Sequence, residues 1–363
     1  MKNTYGNSIT ITLFGESHGE AIGTVLDGIA PGIEVDEDFI KHQLSLRKSY
    51  GDISTQRCEA DEFSIISGVY NGYTTGTPIC IVIENQNKIS KDYSVLEGKA
   101  RPGHADYAAF SKYHGFEDAR GGGHFSGRIT AALVAAGAII ISALNKKGVY
   151  IATHIKKCAG ISDIEFGDFF KDIKELNNKL FAVLDDKAGE KMREKIRIAA
   201  NSLDSVGGVL ETVVLGMPEG VGEPWFDSLE SMLSHGLFSI PAVKGVEFGD
   251  GFRLTDMTGS TANDEFIVKD GKIKTETNHN GGINGGISNG MPIVFSSAVK
   301  PTPSIAKPQR TVDFVKKENV NIEIKGRHDP CIVHRARVVV DSITAIILAD
   351  ALTMRFGTDY LKD

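Results

Sequence analysis

Across residues 8–14, Ile9, Ile11 and Leu13 alternate with Thr10 and Thr12, the period of two expected of a half-buried strand. The pattern stops at the loop Gly15-Glu16-Ser17-His18-Gly19, and residues 23–29 read as a second strand. Residues 35–48 set Phe39, Leu44 and Leu46 among charges and open with acidic side chains, as a helix start does. Residues 63–70 and 78–84 are two further strands around the turn Asn71-Gly72, a hairpin or a meander. The first quarter of the chain is therefore predicted to be antiparallel sheet.

Residues 128–144 are rich in alanine and apolar on nearly every side, which predicts a helix buried all round at the centre of the fold. Strands are expected at 149–155 and 209–215, with a polar helical excursion between them over 169–200, its charges spaced i, i+4 and its surface exposed. A helix over 228–235, a strand over 291–299 and a C-terminal helix over 342–356 capped by Ser342 complete the prediction. Strands and helices do not alternate in strict βαβ order, and no Gly-x-Gly-x-x-Gly follows a strand with an acidic residue about 20 positions on, so a dinucleotide-binding Rossmann domain is not expected. The expected class is α+β, antiparallel β-sheets sandwiching buried helices, in a single domain over residues 1–363.

The 363 residues carry a formal net charge of -7, which argues against a nucleic-acid partner. Any polyanionic ligand must meet a local cluster of cations. No signal-peptide core and no apolar run of about 18 residues is evident, so no membrane partner and a cytoplasmic location are expected. Cys58, Cys80, Cys158 and Cys331 lie far apart without a Cys-x-x-Cys pair, which suggests reduced thiols and neither a zinc site nor a disulfide framework. Glycine supplies 40 of the residues, above the average usage of about 7%. It is concentrated in runs such as Gly121-Gly122-Gly123, next to Arg and His, where close backbone approach to a ligand is the natural use.

Three segments join a histidine or arginine to small residues in expected loops. The first is Gly15-Glu16-Ser17-His18-Gly19. The second runs from Arg101-Pro102-Gly103-His104-Ala105-Asp106 to Arg120-Gly121-Gly122-Gly123-His124-Phe125-Ser126-Gly127-Arg128, where glycines, a serine and the coming helix N-terminus suit an anion. The third is Gly326-Arg327-His328-Asp329-Pro330-Cys331, preceded by Lys300-Pro301-Thr302-Pro303-Ser304.

Together with Leu26-Asp27-Gly28-Ile29-Ala30-Pro31, Phe238-Ser239-Ile240-Pro241-Ala242-Val243-Lys244-Gly245 and Asn278-His279-Asn280-Gly281-Gly282, these segments resemble the signature regions of chorismate synthases, in order and over almost the whole chain. The resemblance implies a lyase that eliminates phosphate from 5-enolpyruvylshikimate 3-phosphate, a 1,4-anti elimination requiring reduced FMN without net redox change. NADPH would enter only indirectly, to reduce the flavin, and homotetramers are typical of the family. Implied substrate cations are Arg47, Lys48, Arg101, Arg128 and Arg327. Implied catalytic groups are His18 at the departing phosphate, His104 at the reduced flavin and Asp329 in removal of the C6 proton through the flavin. Implied flavin contacts are His124, Phe125, Ser126, Pro241, Ala242, Gly285, Lys300, Pro301, Thr302, Pro303, Ser304 and Arg327. The segment Ser45-Leu46-Arg47-Lys48-Ser49-Tyr50-Gly51-Asp52 carries fewer arginines than the family pattern, and His334 and Asp341 replace a usual proline and glutamate. Alternative readings are a divergent flavin- or phosphate-binding homologue with impaired turnover, and a flavin reductase.

Overall fold

The computed structural model describes residues 2–55, 59–86, 98–324 and 328–362. Two five-stranded antiparallel sheets form the outer layers, with helices between them. The first sheet contains β1 (Thr4–Tyr5), β2 (Thr10–Gly15), β3 (Ala21–Asp27), β4 (Phe63–Ser67) and β5 (Ile79–Glu84), in the spatial order β1-β2-β3-β5-β4. Its register follows from the alternation in sequence. Ile11, Leu26 and Ile79 stand in one row across three strands, all buried on the inner face. Asn71 and Gly72 both take positive φ, 50° and 80°, in a two-residue turn joining Val69–Tyr70 to Tyr73–Thr74, the requirement of a type I′ hairpin.

The second sheet contains β6 (Tyr150–Cys158), β7 (Ile161–Ser162), β8 (Gly208–Leu215), β9 (Val243–Phe248) and β10 (Ile293–Val299), ordered β9-β10-β8-β6-β7. The principal helices are α1 (Glu37–Arg47), α2 (Asp106–Tyr113), α3 (Thr130–Lys146), α4 (Phe169–Leu176), α5 (Asp186–Asn201), α6 (Leu229–Ser239) and α7 (Val333–Phe356). Helix α3 rests on the first sheet and α7 on the second, and the two pack against each other, with α1 and α6 alongside. The result is the expected α+β sandwich. Segment 127–146 is long and apolar enough to cross a membrane, yet it lies mostly buried inside this core.

Close contact between the two central helices depends on Gly137. A Cβ there would fall 2.4 Å from the Cβ of Ser342. Ser342 is thus an interior residue of α7, its hydroxyl donating to the Val338 carbonyl at 2.7 Å, and not the helix cap that the sequence pattern indicates. Helix α7 starts at Val333, and the polar residues that break the apolar pattern find partners inside the fold, although His334 Nδ1 and Arg337 Nε are buried without a hydrogen bond among the described residues. Arg337 donates to Asp341 at 3.2 Å, Thr153 donates to Asp341 at 2.6 Å, and His334 Nε2 meets Ser54 Oγ at 2.8 Å. The excursion over 169–200 is likewise amphipathic, since α5 buries Ala188, Met192, Ile196 and Ala199 beneath its charged face. Cys158 and Cys331 face each other in the core with their Sγ atoms 3.7 Å apart.

Candidate active site

Where the C-terminal end of α1, the N-terminal ends of α3 and α7, and the loops after β5, α6 and β10 meet, they enclose a cavity of about 940 Å³. That is near the upper end of the range for small-molecule sites, about 300–1,000 Å³. Ile129 and Leu133 of the α3 region and Ala336, Val339 and Ile343 of α7 give it an apolar wall. Cations and titratable groups from the three motif segments line the remainder.

Arg101 reaches the cavity from the loop before α2. Its Nε and Nη2 bind the two oxygens of Asp106 at 2.8 and 2.6 Å, and Nη2 also donates to the Gly121 carbonyl at 2.7 Å. His104 Nδ1 lies 2.7 Å from the same Asp106 carboxylate and 3.2 Å from Arg101 Nη2. One ring nitrogen cannot donate to the carboxylate and accept from the guanidinium at once. The shorter, charge-assisted contact assigns the Nδ1 proton to Asp106. Burial acts to raise the Asp106 carboxyl, but the hydrogen bonds from Arg101 and His104 outweigh it and hold the group well below the usual range.

Arg47 and Arg128 are both buried and meet at one carboxylate. Asp61 accepts from Arg47 Nη2 at 2.9 Å through one oxygen and from Arg128 Nη1 through the other. Arg128 also binds Asn85 Oδ1 at 3.0 Å and the Glu84 carbonyl at 3.2 Å, with Glu59 at 3.0 Å from its Nε. Desolvation lowers the Arg47 pKa against the pull of Asp61, while the two arginine charges overcome burial and lower that of Asp61. Asp329 accepts from the Thr55 N–H at 2.9 Å and from Arg335 Nη1 at 2.6 Å, and Arg335 Nε donates to the Arg47 carbonyl at 2.9 Å. Arg335 therefore ties α7 to both the third motif and the end of α1.

His18 does not line the cavity. It is buried directly behind Gly121, which does, and its Nδ1 is 3.0 Å from Ser17 Oγ. The glycine run gives this arrangement its closeness: Gly121 has φ +65° and Gly123 φ +52°, and the Gly123 carbonyl accepts the Ser17 N–H at 3.1 Å. Ser126 caps the turn leading into α3 by accepting the Arg128 N–H at 3.2 Å. His124 Nδ1 donates to the Gly15 carbonyl at 2.8 Å, locking the first motif to the second.

The opposite side is formed by Pro241, Ala242, Lys300, Thr302, Pro303 and Ser304. Ala242 is held at φ +75°, a strained value for a residue with a Cβ, while its carbonyl accepts the Lys300 N–H at 2.9 Å. Lys300 Nζ donates to the Gly103 carbonyl and so joins this loop to the Arg101–His104 segment. Thr302 Oγ1 is buried without a hydrogen-bond partner among the described residues, a hydroxyl that a bound ligand would satisfy.

Of the residues implicated from sequence, Arg47, Lys48, Arg101, His104, His124, Phe125, Ser126, Arg128 and Asp329 converge on this cavity with the six just named, whereas His18, Pro301 and Gly285 do not line it. Arg327 lies outside the described residues. Sequence reasoning missed Glu59, Asp61, Asn85 and Arg335. The run Glu59-Ala60-Asp61-Glu62 looks like a solvated acidic surface, and only the fold brings it against the arginines.

The family model described as chorismate synthase matches residues 9–353. The chain belongs to the chorismate synthase family. It is 45% identical over 350 residues to the chorismate synthase of Thermococcus kodakarensis, covering 96% of this chain and 97% of that one. Identity to the chorismate synthase of Dehalococcoides mccartyi is 46% over 359 residues, 98% of either chain. A crystal structure of chorismate synthase superposes with a TM-score of 0.76 at 28% identity, covering 97% of this chain and 94% of that one. The chain is thus a carbon–oxygen lyase of this family, and the sandwich described above is the family's fold.

Proposed function

We propose that this protein carries out the 1,4-anti elimination of phosphate from 5-enolpyruvylshikimate 3-phosphate, giving chorismate, with reduced FMN held beside the substrate. The observation that carries the reading is the convergence of Arg47, Arg101, Arg128, His104, Asp329 and Lys300 on one cavity of about 940 Å³. Its unpartnered Thr302 hydroxyl, strained Ala242 backbone and apolar α3–α7 wall fit a flat, polar-edged ring system. When bound, reduced FMN supplies electron density to the substrate ring and recovers it. NADPH serves only to reduce the flavin.

The arginines, with Lys48, bind the substrate's carboxylates and phosphate. At about 1.5–3 kcal/mol per charge-assisted hydrogen bond, three or four contacts give useful affinity in a chain whose net charge is -7. His18, held by Ser17 behind Gly121, reaches the departing phosphate to protonate or hydrogen-bond it once the Gly121 backbone shifts aside on substrate binding. With its Nδ1 committed to Asp106, His104 keeps Nε2 for a proton at the cofactor edge. Asp329, oriented by Thr55 and Arg335, assists loss of the C6 proton. The apolar wall excludes water from the reacting groups. We further propose that the chain is one domain and works in the cytoplasm as a homotetramer. Highly exposed Trp225, Phe226 and Phe252 support burial against further copies.

Anaerobic incubation of the purified protein with chemically reduced FMN and the enolpyruvyl substrate tests the reading. Chorismate absorbance is the expected result, and its absence with correctly folded protein rejects it.

A further inference from the structure

The two buried arginines that face the cavity do not present free guanidinium groups. One carboxylate, Asp61, bridges them, giving one oxygen to Arg47 Nη2 at 2.9 Å and the other to Arg128 Nη1. Asp61 is not behind the arginines; it lines the cavity with them, as does Glu59. Every nitrogen of the Arg128 guanidinium already contacts a protein oxygen, from Asn85 and Glu59, from Asp61, and from the Glu84 carbonyl. Arg47 Nε, by contrast, is buried with no hydrogen-bond partner among the described residues. A buried donor on a charged group left unmade is costly, and a ligand oxygen would satisfy it.

We infer that Asp61 is an internal stand-in for a substrate anion: its carboxylate holds the Arg47–Arg128 subsite until a phosphate or carboxylate group of the substrate displaces it. This rests on the proposed polyanionic substrate and goes beyond it by naming the residue that sets the subsite's affinity. The physical argument is one of charge. A polyanion entering beside an anchored carboxylate meets like-charge repulsion in a partly desolvated wall, where such terms are large. Exchange of one anion for another keeps both arginines neutralised at every stage, so the buried cations are never left unpaired. The backbone at Asp61 takes φ +55°, a left-handed conformation that aspartate tolerates better than most residues but at some strain. The device also screens the subsite against weak competitors such as free phosphate, because any ligand must outcompete an anion already present at high effective concentration.

The test is D61N in the full-length protein, titrated with inorganic phosphate by calorimetry at fixed ionic strength. Asparagine keeps the size and one acceptor but removes the negative charge. Phosphate should bind D61N at least tenfold more tightly than wild type, with a steeper loss of affinity as salt rises. Equal affinity, no binding to either protein, or weaker binding to D61N overturns the inference, and weaker binding assigns Asp61 the different task of positioning the arginines. Should D61N fail to fold, a structure of wild type with phosphate decides. Phosphate oxygens in the place of the Asp61 oxygens support displacement, whereas a carboxylate still bridging both arginines refutes it. Chorismate formation by wild type reports separately on the underlying reaction.

Discussion

Replacing Gly121 with alanine separates the packing of His18 from the stability of the fold. The backbone at this position has φ +65°, a left-handed value that costs a non-glycine residue about 1–2 kcal/mol. The new methyl would also lie 2.3 Å from His18 Cε1, 2.6 Å from its Nδ1 and 3.3 Å from Ser17 Oγ. Carbon atoms in good contact sit about 3.5–4.0 Å apart, so the imidazole must retreat by about 1 Å. A displacement of about 1 Å can cost about 10²-fold in rate, and loss of general acid assistance altogether about 10²–10⁴-fold. Turnover in G121A should therefore fall by about 10²–10⁴-fold, with stability lowered by about 1–3 kcal/mol. Continuous phosphate release measures the first and urea unfolding the second. G271A is the control: Gly271 has φ +72° with nothing within 4 Å of its added Cβ, so it suffers the backbone strain without the clash. The reasoning fails if G121A turns over within about threefold of wild type, or if G271A loses as much activity as G121A.

At the centre of the fold, G137A should destabilise by about 1–3 kcal/mol through overlap with Ser342, read as a lower urea midpoint at unchanged slope. H18A and H104A should each reduce turnover by about 10²–10⁴-fold while leaving circular dichroism close to wild type; normal rates would remove them from the mechanism. Acid should weaken the fold through its low-pKa carboxylates. The pKa of Asp106 is depressed in the folded state, so the unfolded chain binds more protons as pH falls below about 4. The stabilisation is complete well above that pH and is lost as pH falls towards the folded value. D106N should therefore melt lower than wild type at pH 7, with the gap shrinking below about pH 4; a gap independent of pH would contradict the assignment.

Much of this architecture is visible in the amino-acid pattern, for identifiable reasons. The alternation in β2 and the all-apolar surface of α3 reflect burial of one face and of the whole circumference. The start of α7 is not visible, because His334, Arg337 and Asp341 look like surface residues until Ser54, Thr153 and the helix itself supply partners for them. His334 also packs edge-on to Tyr50 and stacks near Phe181, so an imidazole at this position is accommodated by aromatic packing. In the site, the cations and histidines stand out because they lie beside glycine. The groups that hold them in place do not: Asp61 and Arg335 carry no local signal, and their importance arises from contacts spanning 67 residues to Arg128 and 288 residues to Arg47. Arg335 adds to Arg47 and Lys48 a cavity cation delivered from α7.

The proposed elimination uses reduced flavin without consuming it. A quantitative anaerobic turnover with limiting substrate, following phosphate, chorismate and flavin absorbance together, tests it most directly. One phosphate and one chorismate should form for each substrate molecule, with the flavin still reduced at the end. Flavin oxidised in step with the substrate, or no phosphate released, would contradict it.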